Sequence, residues 1–489
     1  AGQSATEAGE KASVGAFTWG WATSPAMILK HDGRYGGIQN PEDDVSESSN
    51  NIRLALNSTT GSNTTRNVKS RFFITLQPIK DLSVTGSYSY EYTGQSVKTM
   101  PVFHDIWNFG TNQIMFYGEG QSYITQKQYD RERNYMDVVA NYSHRFLEDR
   151  LGLQAMVGAS QEQYQYEWHT VSRKDLTAPN GSVLDAANGE ISANGNRTQW
   201  VMRSYFGRIN LDWENKYLAE FNLRSDGSSR FLSDHRWGYF PSGSLAWRID
   251  QEAFMEDAEW LDNLKIRGSY GIVGNDQIVS TNDYTGQGRF PYLTLIDNHA
   301  GSAWGYRYAG ITETHTGADN LKWEVAKKAN LGIDAKFFHD KLSLTVDIFR
   351  DTRDHIFQDR VTLPSYVGMV TYPKSNVGRM HSVGSDGNIE FFHTINKDMS
   401  FTVRANYTFS QNIIDYFEEN KLPYDYLSVT GRPFNILRGY ISEGLFASKD
   451  EINTSPDQSG FGKIRPGDIK YRDVNGDGII NEDDKVPLS

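Results

Sequence analysis

The chain has 489 residues, no cysteine and a formal charge of -12, from 61 acidic against 49 basic residues. Disulfide frameworks, thiolate metal sites and cysteine nucleophiles are therefore excluded, and so is nucleic acid as a partner, because phosphate neutralisation needs clustered Lys and Arg. The chain is polar on average, with a mean hydropathy of -0.59, yet 27 Tyr, 25 Phe and 11 Trp supply the residues that favour strands and water–apolar boundaries. No apolar run reaches the length of a membrane helix, but a barrel strand needs only about 9 to 11 residues, half of which can be polar.

Period-2 alternation predicts a succession of strands. In chain order these are Arg71 to Gln77, Leu82 to Tyr92, Tyr135 to Leu147, Leu151 to Ser160, Trp200 to Trp213 and Tyr217 to Arg224. They continue with Tyr239 to Ile249, Leu264 to Gly271, Leu331 to Phe338, Leu342 to Arg350, Asn388 to Thr394 and Phe401 to Ser410. In the second of these, Leu82, Val84, Tyr88, Tyr90 and Tyr92 share one face, and Ser83, Thr85, Ser87, Ser89 and Glu91 the other.

The connections alternate between short and long. Short turns fall at Pro78 to Asp81, Glu148 to Arg150, Glu214 to Lys216, His339 to Lys341 and Ile395 to Asp398. Long loops are expected at Gly94 to Arg133, Gln161 to Arg197, Ile272 to Trp323, Asp351 to Gly387 and beyond Gln411. A barrel in an outer membrane puts its short turns in the periplasm and its long loops outside. The fold expected is thus all-β, a large antiparallel transmembrane β-barrel with long extracellular loops. Residues 1–70 form an early barrel and loop segment, 71–410 the barrel proper and 411–489 an extracellular loop region. Arg203 and Arg350 share a face with apolar neighbours, but both lie next to long loops, where the cost is about 0 to 1 kcal/mol rather than the roughly 2 to 4 at mid-depth. Trp213, Tyr217, Trp237, Tyr239 and Trp247 suit the aromatic girdles at the two membrane boundaries. Neither end carries a signal sequence or a closing strand, so the chain is expected to be part of a longer one.

One motif carries site chemistry. From Asp473 to Asp484, oxygen donors recur at positions 1, 3, 5, 7, 9 and 12: Asp473, Asn475, Asp477, the Ile479 carbonyl, Asn481 and Asp484, with Gly478 at position 6. This is the spacing of a Ca²⁺ loop built from hard oxygen ligands. It departs from the usual pattern in having Asp for Glu at position 12. The histidines His104, His144, His169 and His315 are scattered and are expected in loops or the lumen rather than on a metal. No nucleophile elbow or phosphate loop is present, so an enzyme is not expected. Aromatic rings in the long loops, Tyr164, Tyr166, Trp168, Trp304, Tyr306 and Tyr308, are candidates for substrate contact, because flat rings with polar edges suit sugars and peptides alike.

Several stretches resemble the SusC/RagA family of TonB-linked outer-membrane proteins. Tyr217 to Ile249 contains RSDGSSRF and then FPSGSLAWR; Leu261 to Asn275 ends in GIVGN; Leu321 to Glu324 reads LKWE; Asn376 to Met380 reads NVGRM; Pro466 to Tyr471 reads PGDIKY. The resemblance implies a barrel of about 22 strands, of which roughly a dozen lie here. It further implies import of an oligosaccharide or peptide across the outer membrane of a Gram-negative bacterium, with a SusD-like surface lipoprotein and the TonB-ExbB-ExbD system as partners and outer-membrane lipid around the barrel. Two other readings fit the strands alone: an extracellular β-rich adhesin with a dockerin-like calcium loop, and a passive porin.

Overall fold

The computed structural model describes residues 3–4, 28–37, 51–177, 181–277, 290–297, 312–318, 320–364, 366 and 373–488. Twelve long strands dominate it: β1 (Thr59–Ile79), β2 (Leu82–Pro101), β3 (Tyr123–Phe146), β4 (Leu151–Lys174), β5 (Ile191–Trp213) and β6 (Tyr217–Ser228), then β7 (Trp237–Arg248), β8 (Leu261–Asn275), β9 (Glu324–Phe337), β10 (Leu342–Asp359), β11 (Lys374–Asn396) and β12 (Met399–Tyr416). They pair antiparallel in strict chain order as one meander. Gln3–Ser4 pairs with Asn63 and Thr64 on the outer edge of β1. Among the described residues no strand covers the outer edge of β12.

The short turns close by left-handed residues: Glu214 and Asn215 (φ 54° and 56°) between β5 and β6, and Phe338, His339 and Asp340 between β9 and β10. Such runs match the twist of the flanking strands. Asp212 Oδ1 fixes the first by accepting from the Asn215 amide at 2.7 Å.

Register shows how the two faces divide. One row of directly paired residues runs Phe146, Leu151, Trp213, Tyr217, Trp247, Ile266, Ile333, Val346. This face is solvent-exposed in the isolated chain although it is apolar: Val157 is 64% exposed, Leu245 69%, Ile348 60% and Phe409 60%. A large contiguous apolar exterior on a folded sheet marks a surface that meets something other than water, here lipid. The opposite face carries Ser87, Asp137, Ser160, Ser204 and Asp226 in one row and lines the lumen. His144 is a correction. It stands on the outward face between the rings of Tyr142 and Phe146, with Nδ1 2.9 Å from Asp81 Oδ2, and not in a loop or the lumen.

Aromatic residues bound the apolar band at both ends. At the short-turn end Tyr217 and Trp247 present their polar edges to Glu252 Oε1, at 2.7 and 3.0 Å. At the other end Tyr205 stacks on Trp237 with centroids 5.9 Å apart. Between these limits each strand contributes about nine residues, close to the span of a barrel strand.

The strands reach well beyond the band on the long-loop side. β4 and β5 continue to Lys174 and from Ile191, and β1 starts at Thr59. The loops expected at Gln161 to Arg197 and Gly94 to Arg133 are therefore largely strand. Above the lipid both faces meet water, so alternation fades while backbone pairing persists.

Candidate functional site

The inward rows of β2 to β5 above the band are set by register: Glu91–Arg133–Tyr164–Trp200, then Thr93–Arg131–Tyr166–Thr198, then Gln95–Tyr129–Trp168–Asn196. Tyr164, Tyr166 and Trp168, expected in a loop, are on β4 at i, i+2 and i+4, all facing inward. They begin five residues past Ala159, so they stand about 15 to 30 Å along the strand from the end of the apolar band. Trp304, Tyr306 and Tyr308 lie outside the described residues.

Rings and guanidinium groups pack alternately on this wall. Tyr164 stacks on Trp200 (5.8 Å, 20°), and Tyr129 on Tyr166 (6.4 Å, 20°). The Arg131 guanidinium lies 5.3 Å from the Tyr166 ring, and that of Arg230 4.5 Å from Trp200. Arg133 pairs with Glu162 at 2.7 Å. Tyr166 is fully buried, so it supports its neighbours, whereas Tyr164 and Trp168 are half-buried. Nothing in the sequence marks Tyr129, Arg131 and Trp200 as members of this wall. Only pairing register brings them together.

Four of the five stretches that carry the family resemblance converge at the top of β6 to β11; Pro466 to Tyr471 instead pairs, through Ile469–Tyr471, with Ser442–Leu445. Arg224 Nε donates to both carboxylate oxygens of Asp226 at 2.7 Å. Ser228 Oγ donates to Asp276 Oδ2 at 2.7 Å, and Arg230 forms a buried ion pair with the same oxygen. Phe231 then turns into a core with Phe240, Ala318, Leu321 and Trp323, and Trp323 Nε1 donates to the Arg236 carbonyl at 3.1 Å. Asn376 closes the arrangement: its Oδ1 accepts from the Lys322 amide and its Nδ2 donates to the carbonyls of Lys322 and His355, at 2.8 to 2.9 Å. Four motifs far apart in sequence thus form one clasp that holds the outer loops on the strand tops.

Lower on the inner wall, a concavity of about 720 Å³ is lined by Arg145, Asp212, Glu220, Lys265 and Arg267, among others. Arg267 reaches Asp347 with two contacts of 2.6 Å and Asp334 at 3.1 Å. Its path crosses Gly332, where a Cβ would sit 2.5 Å from the guanidinium carbon.

The acidic loop folds on its own side chains. Asp473 accepts from the amides of Gly476 and Gly478 (2.6 and 2.8 Å), Asp477 Oδ1 from Ile479 (2.8 Å), and Asn481 Oδ1 from Asp483 (2.7 Å). Asp484, fully buried, accepts from Val474 at 2.7 Å and Asn481 at 2.9 Å, tying the two ends together. Gly476 and Gly478 are left-handed (φ 76° and 84°), and Ile480 is buried while Ile479 is exposed. Asn475 Nδ2 points at Asp477 Oδ2, 3.0 Å away. The donor set is all oxygen, as a hard cation requires. Among the described residues, however, no three Asp, Glu or His side chains are gathered closely enough to hold a metal, so six-fold coordination needs the amide and carbonyl oxygens as well.

Residues 18–474 match the family described as TonB dependent receptor-like, beta-barrel. The chain is similar to the TonB-dependent receptor SusC of Bacteroides thetaiotaomicron, with 32% identity over 44% of this chain and 21% of that protein. It is also similar to the TonB-dependent receptor P26 of Formosa agariphila, with 25% identity over 96% of this chain and 46% of that one. The structure of the RagAB peptide transporter superimposes with a TM-score of 0.71 at 18% identity, covering 93% of this chain and 47% of that one. The chain thus spans less than half the length of each of these relatives. Its inward polar and outward apolar strands, short turns and long connections agree with that match: the chain belongs to the TonB dependent receptor-like β-barrel family of Gram-negative outer membranes.

Proposed function

We propose that these strands form part of the wall of a TonB-dependent importer that takes up an oligosaccharide or a peptide with a SusD-like surface lipoprotein, energised by the TonB-ExbB-ExbD system. Family membership carries this reading, supported by a SusC relative and by the fold shared with the RagAB peptide importer. The aromatic wall of Tyr164, Trp168 and Trp200, propped by Tyr166, is the substrate-contacting surface: it lies inside the rim, where a ligand meets it before the lumen. Rings next to Arg131 and Glu162 offer flat apolar area and charge together, which suits sugars and peptides. Uptake of labelled maltooligosaccharides and of labelled oligopeptides by cells with and without functional TonB tests this. At least one set should enter only with TonB; entry of both at equal rates without it would sink the importer reading.

The same proposal assigns Ca²⁺ to Asp473, Asn475, Asp477, the Ile479 carbonyl, Asn481 and Asp484, as a structural ion in an outer segment. Binding would rotate the Asn475 amide so that its oxygen replaces the nitrogen now facing Asp477. Support comes from the spacing, the left-handed Gly478 and the acidic surroundings. Proteolysis of residues 450–488 in calcium and in excess chelator tests it: protection should be calcium-dependent in the wild type and lost in Asp473→Ala/Asp477→Ala. Equal cleavage in both conditions would show an acidic turn without metal.

A further inference from the structure

On several strands the outward apolar band ends at a cation. On β5 it runs from Trp213 to Tyr205 and Arg203 follows; on β9, from Phe337 to Ala329 and then Lys327; on β10, from Leu342 to Ile348 and then Arg350; on β11, from Phe391 to Val383, followed by His381 and Arg379. All four sites lie on the long-connection side, level with the outer headgroups.

Three of these cations stand on adjacent strands, β9 to β11. Asp354 lies between two of them, 2.8 Å from Lys327 and 3.0 Å from Arg379, and Asp415 contacts His381 at 2.7 Å. Arg350 differs. Its direct neighbours are Ala329 and Val383, it is exposed, and among the described residues no carboxylate pairs with it. Tyr270 continues its row across β9 and is 54% exposed. The patch therefore carries three permanent cations against two carboxylates, with an unneutralised guanidinium fork at its lower edge beside lipid-facing Ile348 and Leu331.

We infer that Arg350, flanked by Lys327 and Arg379, binds a phosphate group of an outer-leaflet lipid against the outer face of β9 to β11. A planar fork matches phosphate oxygens two at a time, and the acyl chains of such a lipid continue onto the apolar band directly below. The inference rests on the barrel and not on import, so loss of uptake would leave it standing.

The full-length protein, extracted in detergent, is titrated with monophosphorylated lipid A and the bound fraction read by native mass spectrometry. Arg350→Gln should retain about fivefold less lipid, and Arg350→Gln/Lys327→Gln less again. Arg203→Gln, removing a guanidinium already bonded to Gln161, should retain it unchanged. Dephosphorylated lipid A should bind weakly, and inorganic phosphate at equal concentration should not compete. Heat-modifiable gel mobility reports folding; if Arg350→Gln does not fold, Arg350→Lys replaces it and should bind between wild type and the double variant. Equal retention by the Arg350 variant, equal binding of dephosphorylated lipid, or competition by free phosphate would overturn the inference, the last by showing a site for the free ion.

Discussion

Arg230 and Asp276 form an ion pair across two outer connections, with Nη1 2.7 Å from Oδ2 and both side chains at most 10% exposed. The same carboxylate oxygen accepts from Ser228. Removing one partner leaves the other charge buried, which typically costs about 3 to 5 kcal/mol. Asp276→Ala should therefore free residues 229–236, seen as faster hydrogen exchange there with β3 to β5 unaffected inside the band. Arg230→Met/Asp276→Leu removes both charges and should exchange more slowly than the single variant.

Gly332 makes a second prediction from packing. The Arg267 guanidinium occupies the space above it on the way to Asp347. Gly332→Val should displace that contact and lower the yield of folded barrel, measured by heat-modifiable mobility. Gly268→Ala is the control: a Cβ there would have no atom closer than 3.9 Å, so its yield should match wild type.

Glu419 lies just beyond β12 and carries a prediction about pH. Burial pushes its carboxyl upward, but the amides of Val429 and Thr430 and the hydroxyls of Thr430 and Ser428 outweigh it, so the group is held below the ordinary glutamate value. A depressed carboxylate contributes stability that is present above its unfolded pKa and lost as pH falls through the folded one. Amide exchange at Val429 and Thr430, corrected for intrinsic rates, should stay slow down through the usual glutamate range and rise only below it. In Glu419→Gln it should be fast throughout.

The inner wall gives a prediction about binding. Tyr164→Ala or Trp200→Ala each removes half of a stacked pair and should weaken substrate binding roughly tenfold. Tyr239→Ala, on the lipid side, should leave affinity unchanged. Calorimetric titration with the substrate identified by uptake would show the difference.

Much of the fold was legible because lipid and lumen impose opposite demands on alternate residues. The pattern from Leu82 to Tyr92 and from Tyr217 to Arg224 therefore identifies both strand and face. It fails where both faces are wet: Gln161 to Lys174 reads as a loop, yet pairs with β3 throughout and with β5 as far as Arg173. Tyr164, Tyr166 and Trp168 at i, i+2 and i+4 were the available sign that the strand continues. The clasp was visible only as separate motifs, since nothing in RSDGSSRF indicates that Arg230 will meet Asp276 or that Phe231 will meet Trp323. The acidic loop was legible in spacing, whereas the bonding of Asp484 to Val474 and Asn481 was not.

Labelling of intact cells shows whether the strands span a membrane with short turns inside and long connections outside. The chain contains no cysteine, so Lys397→Cys in the turn between β11 and β12 and Gly460→Cys in the segment after β12 place single reporters on it. A membrane-impermeant maleimide should label Gly460→Cys on intact cells and Lys397→Cys only after the outer membrane is permeabilised. Labelling of Lys397→Cys on intact cells would show that the short turns face outward and that this orientation is wrong.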